Sequence, residues 1–376
     1  MKVGIVLNFP PNDHRAVFYD GFVRELIKIG DYDINIIMQK GEIQFEDVPY
    51  KLTLVPGGTY SKRGQLEFMY HTIKEIRKNN YDVIHARNPF SSLIPPLLAK
   101  TDAKIIYDVR GLWAEFGVNA GYYSKWTGRI LDSIDVKLAK MCDAIIAISP
   151  LMKKILMKKG IHKGVIEIVP EGVDIEKFSK AKPIDLHEKF GIDGKIIGYV
   201  GSISLSRGSN KIIEAFRLVK DEIEDAFLVM VGLIKDEEKR SFRELVKRLK
   251  LEDSIIFTGS ISHSNVPSFV KSFDVAVSYF PFNHPIYDVA VPIKILEYIA
   301  AGVPVVATDN LSHKNIIKDG VNGYLSKHDI GSLSRILIKT LKYRKKLCMN
   351  SLSINSFSFH EISRKINYLY LDILSS

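Results

Sequence analysis

Cysteine is nearly absent from this chain. Cys142 and Cys348 are the only two in 376 residues, and they stand far apart. That excludes a disulfide framework and leaves no zinc-ligand spacing. It suits a reducing, cytoplasmic setting, with Cys142, next to an apolar strand, as a small core residue. No apolar run approaches the roughly 20 residues of a membrane-spanning helix. The longest candidate, around Leu93–Ala99, is broken by Pro95 and Pro96. The N-terminus, Met1-Lys2-Val3-Gly4-Ile5-Val6-Leu7-Asn8, reads as a buried strand and not as a signal peptide. There is no low-complexity tail and no short-period repeat. No Gly-x-Gly-x-x-Gly follows a first strand, which disfavours a dehydrogenase.

Hydrophobic residues make up 46% of the chain and charged residues 26%, enough to bury a substantial core. The length suits two domains. The formal net charge is +10. Its clusters, such as Lys153-Lys154, Lys158-Lys159 and Arg344-Lys345-Lys346, read singly as solvated faces. Together they leave open a peripheral attraction to an anionic membrane. No motif supports nucleic-acid binding.

Strand-like runs at Lys2–Leu7, Ile34–Met38, Val83–His85, Lys104–Val109 and Ala144–Ile148 alternate with helical patterns at Val17–Ile29, Leu66–Asn79, Leu93–Lys100 and Thr127–Met141. The alternation predicts parallel strands with crossover helices, hence an α/β fold. After a strand at Val165–Val169 and a polar connection over roughly 175–194, the pattern restarts. Lys195–Gly201, Ala226–Gly232, Ser254–Thr258 and Val275–Tyr279 read as strands, and Ser353–Leu374 as a closing helix.

The most informative stretch is Pro292–Asp309. Pro292 suits a first helical turn, Gly302 a left-handed stop, and Val303, Val305 and Val306 a buried strand. Ile293, Leu296, Ile299 and Ala300 recur at helical spacing as the apolar face. Lys294 and Glu297, three apart, are neighbours on one face. A helix N-terminus with a lysine attracts an anion, and a glutamate accepts hydrogen bonds from hydroxyls. The pair suits a sugar nucleotide.

Five patterns in order carry a family resemblance. They are Ile168-Val169-Pro170-Glu171-Gly172-Val173-Asp174 with Phe178, Tyr199-Val200-Gly201 running to Arg207-Gly208, Phe257-Thr258-Gly259, the segment 292–309, and Asp319-Gly320-Val321-Asn322-Gly323. With them the chain resembles the retaining family-four glycosyltransferases. His85-Ala86-Arg87 and Tyr107-Asp108-Val109-Arg110-Gly111-Leu112-Trp113 resemble the branch that builds bacterial surface polysaccharides. The resemblance implies the GT-B fold, two facing Rossmann-like domains with an interdomain donor cleft. Residues 1–174 would form the acceptor-binding domain, with a C-terminal helix of about 353–376 packed back on it. Residues 175–352 would bind the donor.

By the same resemblance, Gly201, Ser202, Arg207, Gly259, Lys294 and Glu297 would hold a nucleotide-diphosphate sugar, with Arg207 and Lys294 on the diphosphate and Glu297 on the ribose. Asn12, His14, His85 and Arg87 would meet a glycan or glycolipid acceptor. Asp108, Arg110, Arg207 and Lys294 would stabilise charge during transfer; Asp108 and Arg110 read equally as a structural pair. Three departures matter. Ser202 stands where the family usually carries arginine. Val289 replaces the first acid of the Glu-x7-Glu signature, with Asp288 adjacent. The usual N-terminal Gly-Gly loop is replaced by Asn8–His14. No protein nucleophile is evident, since the family's retention of configuration is attributed to front-face attack. Neither metal nor cofactor is expected. The chain would work in the cytoplasm, at the inner membrane face where its acceptor is lipid-linked. The alternatives are a GT-B sugar-nucleotide epimerase or hydrolase, and a catalytically silent subunit of a transferase complex, for which Ser202 and Val289 are the motivation.

Overall fold

The computed structural model describes every residue except 44, 46, 59, 60, 163, 165, 344–353 and 376. Cys348 and the Arg344-Lys345-Lys346 cluster lie outside the described residues, as does the start of the closing helix expected at Ser353. Two compact units result. One comprises Met1–Gly172, Val289–Val291 and Phe359–Ser376, the other Val173–Asp288 and Pro292–Ser358.

The first unit is built on β1 (Lys2–Leu7), β2 (Asp33–Gln39), β3 (Lys51–Val55), β4 (Val83–Arg87), β5 (Lys104–Val109), β6 (Ala144–Ala147) and β7 (Ile166–Ile168). They form one sheet in the order β3-β2-β1-β4-β5-β6-β7, with every pairing parallel. The two-residue period of a strand sorts its side chains. Val3, Ile5 and Leu7 join a core on one face with Ile36, Ile106 and Ile146, while Val6 joins the opposite core with Ile84, Tyr107 and Ile145. Burial on both faces explains the near-continuous apolar runs.

The helix Phe359–Ser375 belongs to this unit. Its Ile362, Ile366, Leu369, Tyr370 and Ile373 enter the core that holds Phe18, Phe22 and Leu26 of the helix Ala16–Ile29. Ser363 Oγ donates to the Phe22 carbonyl at 2.7 Å. A Cβ at Gly21 would stand 2.3 Å from the Phe359 ring, so the two helices approach through that glycine.

The second unit repeats the plan with β8 (Lys195–Val200), β9 (Ala226–Val231), β10 (Ile255–Gly259), β11 (Val275–Ser278), β12 (Val305–Thr308) and β13 (Tyr324–Ser326). The order is β10-β9-β8-β11-β12-β13, again parallel throughout. The order reverses between β8 and β11, and ligands of open parallel sheets bind outside the carboxyl ends of strands at such a point.

Three sequence expectations need amendment. The connection over 175–194 is not a plain polar link: it holds helices Ile175–Lys180 and Leu186–Phe190. Asp174 and Asp185 cap them by accepting from the Lys177 and Glu188 amides, each at 2.9 Å. β3 and β13 were not anticipated. β3 is a half-exposed edge strand and β13 only three residues long, so neither carries a long apolar run.

Candidate functional site

The helix Ile293–Ala300 begins one residue later than Pro292 suggests. Pro292 is the N-cap, with φ −74° and ψ 97°. Ile293 is not on the buried face; it is 37% exposed. Ile295, Leu296, Tyr298, Ile299 and Ala300 are buried instead, because the helix is enclosed on more than one side. Tyr298 reaches the sheet, where its hydroxyl accepts from the Val200 amide at 2.8 Å. That bond fixes the helix against the carboxyl end of β8. Gly302, at φ 75°, ends the helix, and its amide donates to the Ile299 carbonyl at 3.0 Å.

Lys294 turns to the same strand end. Its Nζ lies 4.0 Å from the centroid of the Tyr199 ring. A Cβ at Gly201 would come within 3.1 Å of it. The ammonium is buried, and among the described residues it faces the Tyr199 ring and no carboxylate. Burial pushes its pKa down, helped by Arg207 and opposed by Tyr199 and Glu297.

The backbone beneath it is packed through glycine. Gly201 has φ 128°, and its amide donates to the Val231 carbonyl at 2.9 Å. A Cβ at Gly232 would lie 2.0 Å from the Gly201 oxygen. Gly232 donates in turn to the Gly259 carbonyl at 3.0 Å. Gly259 sits at φ 71° with open space where a Cβ would point.

Ser202 is exposed, and its carbonyl accepts from the Tyr199 hydroxyl at 2.9 Å. Arg207 ends the short turn Leu205–Arg207, and the helix Ser209–Glu222 follows Gly208. Its charge acts on Lys294, Tyr199 and Tyr287, and no carboxylate among the described residues pairs with it. Tyr287 donates to the Ser206 carbonyl at 3.1 Å, which holds the turn that carries Arg207.

Glu297 does not pair with Lys294, despite the spacing of three. Its Oε1 lies 3.9 Å from His263 Nε2. The residue is 8% exposed. Burial raises its pKa to about 7, against the pull of Lys294 and Lys177. One side of the helix thus holds a buried cation that no anion among the described residues meets, and another a buried acid beside His263.

The first-unit candidates divide. Asp108, Arg110 and His85 meet in one buried cluster. Asp108 Oδ1 lies 2.6 Å from Arg110 Nε, and Oδ2 lies 3.2 Å from His85 Nε2. Tyr19 donates its hydroxyl to Oδ2 at 2.5 Å. Burial would raise the Asp108 pKa, but Arg110, His85 and Tyr19 outweigh it and hold the carboxyl well below the usual range. Arg110 Nη1 donates to the Val169 and Pro170 carbonyls, each at 3.3 Å.

Asp108 and Arg110 thus form the buried pair that the sequence allowed, with both side chains sealed, at 0% and 1% exposure. His85, expected to touch an acceptor, is fully buried between Tyr370, whose hydroxyl lies 2.8 Å from Nδ1, and Phe22. Arg87 is also buried, with its guanidinium over the Phe9 and Tyr19 rings. Asn12 and His14 stand apart on an exposed loop. Val289 packs in the first unit's core, so no acid belongs in its pocket. Among the described residues, no three of His, Cys, Asp and Glu are grouped to hold a metal.

Sequence reasoning missed Tyr19 and Tyr370 around Asp108, and Tyr199, Tyr298 and His263 around the helix. Tyr199 and Tyr298 were visible as tyrosines beside motif residues. His263 gives no signal, because its approach to Glu297 depends on the turn after β10.

Residues 17–177 match Glycosyltransferase Family 4, and residues 184–350 match Glycosyl transferases group 1. The chain belongs to the family 4, group 1 glycosyltransferases. Among relatives of this glycosyltransferase, the putative glycosyltransferase EpsD of Bacillus subtilis is 26% identical over 293 residues, covering 74% of this chain and 72% of its own. The UDP-Gal:alpha-D-GlcNAc-diphosphoundecaprenol alpha-1,3-galactosyltransferase of Escherichia coli is 23% identical over 93% of this chain and 92% of its own. The crystal structure of Anabaena HepE with UDP-glucose superposes with a TM-score of 0.79 at 16% identity, covering 99% of this chain and all of that one. That likeness and the two parallel sheets make the fold GT-B. Among the described residues, no helix of this glycosyltransferase is long and apolar enough to cross a membrane.

Proposed function

We propose that this glycosyltransferase moves a sugar, with retention of configuration and without a metal, from a nucleotide-diphosphate sugar to a lipid-linked or growing oligosaccharide in cell-surface polysaccharide assembly. The observation that carries the donor half is the buried Lys294 ammonium, left without a counter-ion beside Gly201 at the end of β8. A diphosphate supplies that missing charge. Arg207 adds a planar cation suited to phosphate oxygens, and with Ser202 in place of an arginine Lys294 shares the diphosphate with it. Lys294 and Arg207 then stabilise the departing diphosphate, whose charge grows as the glycosidic bond breaks. Glu297 accepts hydrogen bonds from the ribose hydroxyls. Gly201, Ser202 and Gly259 leave backbone open to the nucleotide.

In the acceptor half, Asn12 and His14 contact acceptor from their exposed loop. Asp108, Arg110, His85 and Arg87 act from beneath it, as a rigid charged floor. Retention follows from front-face attack in which the leaving phosphate takes the acceptor's proton, so no enzyme nucleophile is required. The relatives that act on undecaprenyl-linked glycan, or that were crystallised with UDP-glucose, support this choice of acceptor and donor.

The test is calorimetric titration with UDP and a panel of UDP-, GDP- and dTDP-sugars, followed by transfer to lipid-linked acceptors with the product anomer read by NMR in the presence of EDTA. Binding of one nucleotide-sugar, acceptor-dependent release of its nucleotide and a retained anomer are expected. No nucleotide binding at all would refute the donor site. Release of free nucleotide without any acceptor would favour the epimerase or hydrolase reading.

A further inference from the structure

One surface of the first unit is both apolar and basic. The helix Lys125–Ala139 shows solvent a stripe of Trp126, Ile130 and Ile134, spaced four apart and exposed by 71%, 39% and 39%. Met141, just past its end, is 61% exposed. Tyr122, at 67%, and Phe116 extend the apolar area from the turn and helix before it. The two helices are locked together: a Cβ at Gly128 would stand 2.4 Å from a Val118 methyl, and one at Gly117 would overlap the Tyr123 ring.

Beside the apolar stripe run Lys125, Arg129, Lys137 and Lys140, all exposed. None of the four has an ion-pair partner among the described residues. The acids on the same helix are turned away from this face. Asp132 pairs with Lys159, and Asp135 accepts from the Tyr107 hydroxyl at 2.8 Å. Of the neighbouring acids, Asp143 is tied to Lys104 at 3.4 Å, and Glu115 is exposed at the patch edge.

A contiguous apolar patch of this kind marks an interaction site. The aromatic, aliphatic and lysine composition selects the occupant. Tryptophan and tyrosine settle at the headgroup level of a bilayer, lysine and arginine stems snorkel from the acyl boundary, and a basic amphipathic helix lies in that plane. A protein partner of matching charge would need an acidic surface with a large apolar centre; a bilayer rich in anionic lipid presents both across any area.

We propose that the Phe116–Met141 face is a membrane-docking surface that seats the first unit on an anionic bilayer. Trp126, Tyr122, Ile130 and Ile134 enter the interface, while Lys125, Arg129, Lys137 and Lys140 meet lipid phosphates. The docking does not depend on the donor chemistry.

The chain has two tryptophans, which makes the test direct. In a Trp113→Phe chain, Trp126 is the sole indole. Its emission is followed as vesicles of phosphatidylglycerol and phosphatidylcholine, or of phosphatidylcholine alone, are added. A blue shift and quenching by brominated acyl chains are expected with the anionic vesicles, weakened by 1 M salt. Arg129→Glu with Lys137→Glu should lower partitioning by at least about twenty-five-fold, since each basic residue near the surface contributes about a fivefold factor. Circular dichroism checks that this variant is folded. Absence of any shift with anionic vesicles overturns the proposal, as does equal binding to neutral ones or binding indifferent to the double substitution. So does burial of Trp126 by self-association, seen in sedimentation without vesicles. No turnover enters the readout, so failure here leaves the transfer reading intact, and failure of transfer leaves this surface intact.

Discussion

Replacing Lys294 by methionine separates binding from stability. The methionine keeps most of the stem's volume but removes a charge that is buried, unpaired and pushed toward neutrality. A charge-assisted contact to phosphate contributes about 1.5–3 kcal/mol, or roughly 10- to 150-fold in affinity. Ser202 stands where a further cation would, and Arg207 alone shares the diphosphate with Lys294, so the loss of donor affinity should fall in the upper part of that range. Stability should move the other way. A buried charge without a partner costs free energy, so Lys294→Met should leave the protein as stable or more so. The lysine's lowered pKa fixes the sign of the pH dependence. Its cost is largest where it is charged, so the gain should shrink as pH rises into the alkaline range. Calorimetric titration with the preferred nucleotide measures the first effect, and urea unfolding between pH 6 and 10 the second. Unchanged donor affinity would refute the diphosphate role. A stability loss above about 3 kcal/mol would refute the unpaired charge itself, since losses of that size accompany broken pairs.

Glu297 provides a pH signature. Its folded pKa of about 7 exceeds the ordinary 4.5, so its contribution to stability is full below pH 4.5 and lost as pH rises through 7. Urea unfolding should show a decline of roughly 2.5 kcal/mol between pH 5 and 8, absent in Glu297→Gln. Donor affinity should rise across the same window, since only the carboxylate accepts from both ribose hydroxyls. Asp108→Asn breaks the buried cluster and should cost about 3–5 kcal/mol at pH 7, with the difference from wild type closing only as pH falls below the ordinary carboxylate range. Ile366→Ala, in the helix Phe359–Ser375, should cost about 2–5 kcal/mol in thermal or urea unfolding.

The fold was largely legible because parallel strands buried on both faces write themselves as apolar runs. β1, β2, β5 and β8 could be read that way to within a residue or two. β3 failed because an edge strand is half solvated, and β13 because three residues make no run. The helix Ile293–Ala300 and its stop at Gly302 followed from local backbone rules. Its face did not: Ile293 satisfies the apolar period but is exposed, because enclosure by β8 and other elements decides burial, and periodicity sees only one helix. The cluster at Asp108 was legible only in part. Its Asp–Arg pair could be read at the strand end, but Tyr19 and Tyr370 could not, because they close over it from helices 89 residues or more away in sequence.

The spacing of Lys294 and Glu297 has a plainer outcome than an ion pair. Neighbours on a helix three apart can meet, yet these two are held apart by what lies outside the helix. Tyr199 and Gly201 take the ammonium to the end of β8, and the His263 side takes the carboxyl. Each is then pushed toward its neutral form, the lysine downward and the glutamate upward, by the same loss of water. Had they paired, both shifts would be smaller and neither group would be free for a ligand. A molecule that brings an anion to one and hydroxyl donors to the other relieves both costs at once. A nucleotide diphosphate carries these two features on one scaffold. Binding of inorganic pyrophosphate alone should therefore respond to Lys294→Met but not to Glu297→Gln, while a nucleoside without phosphate should show the reverse.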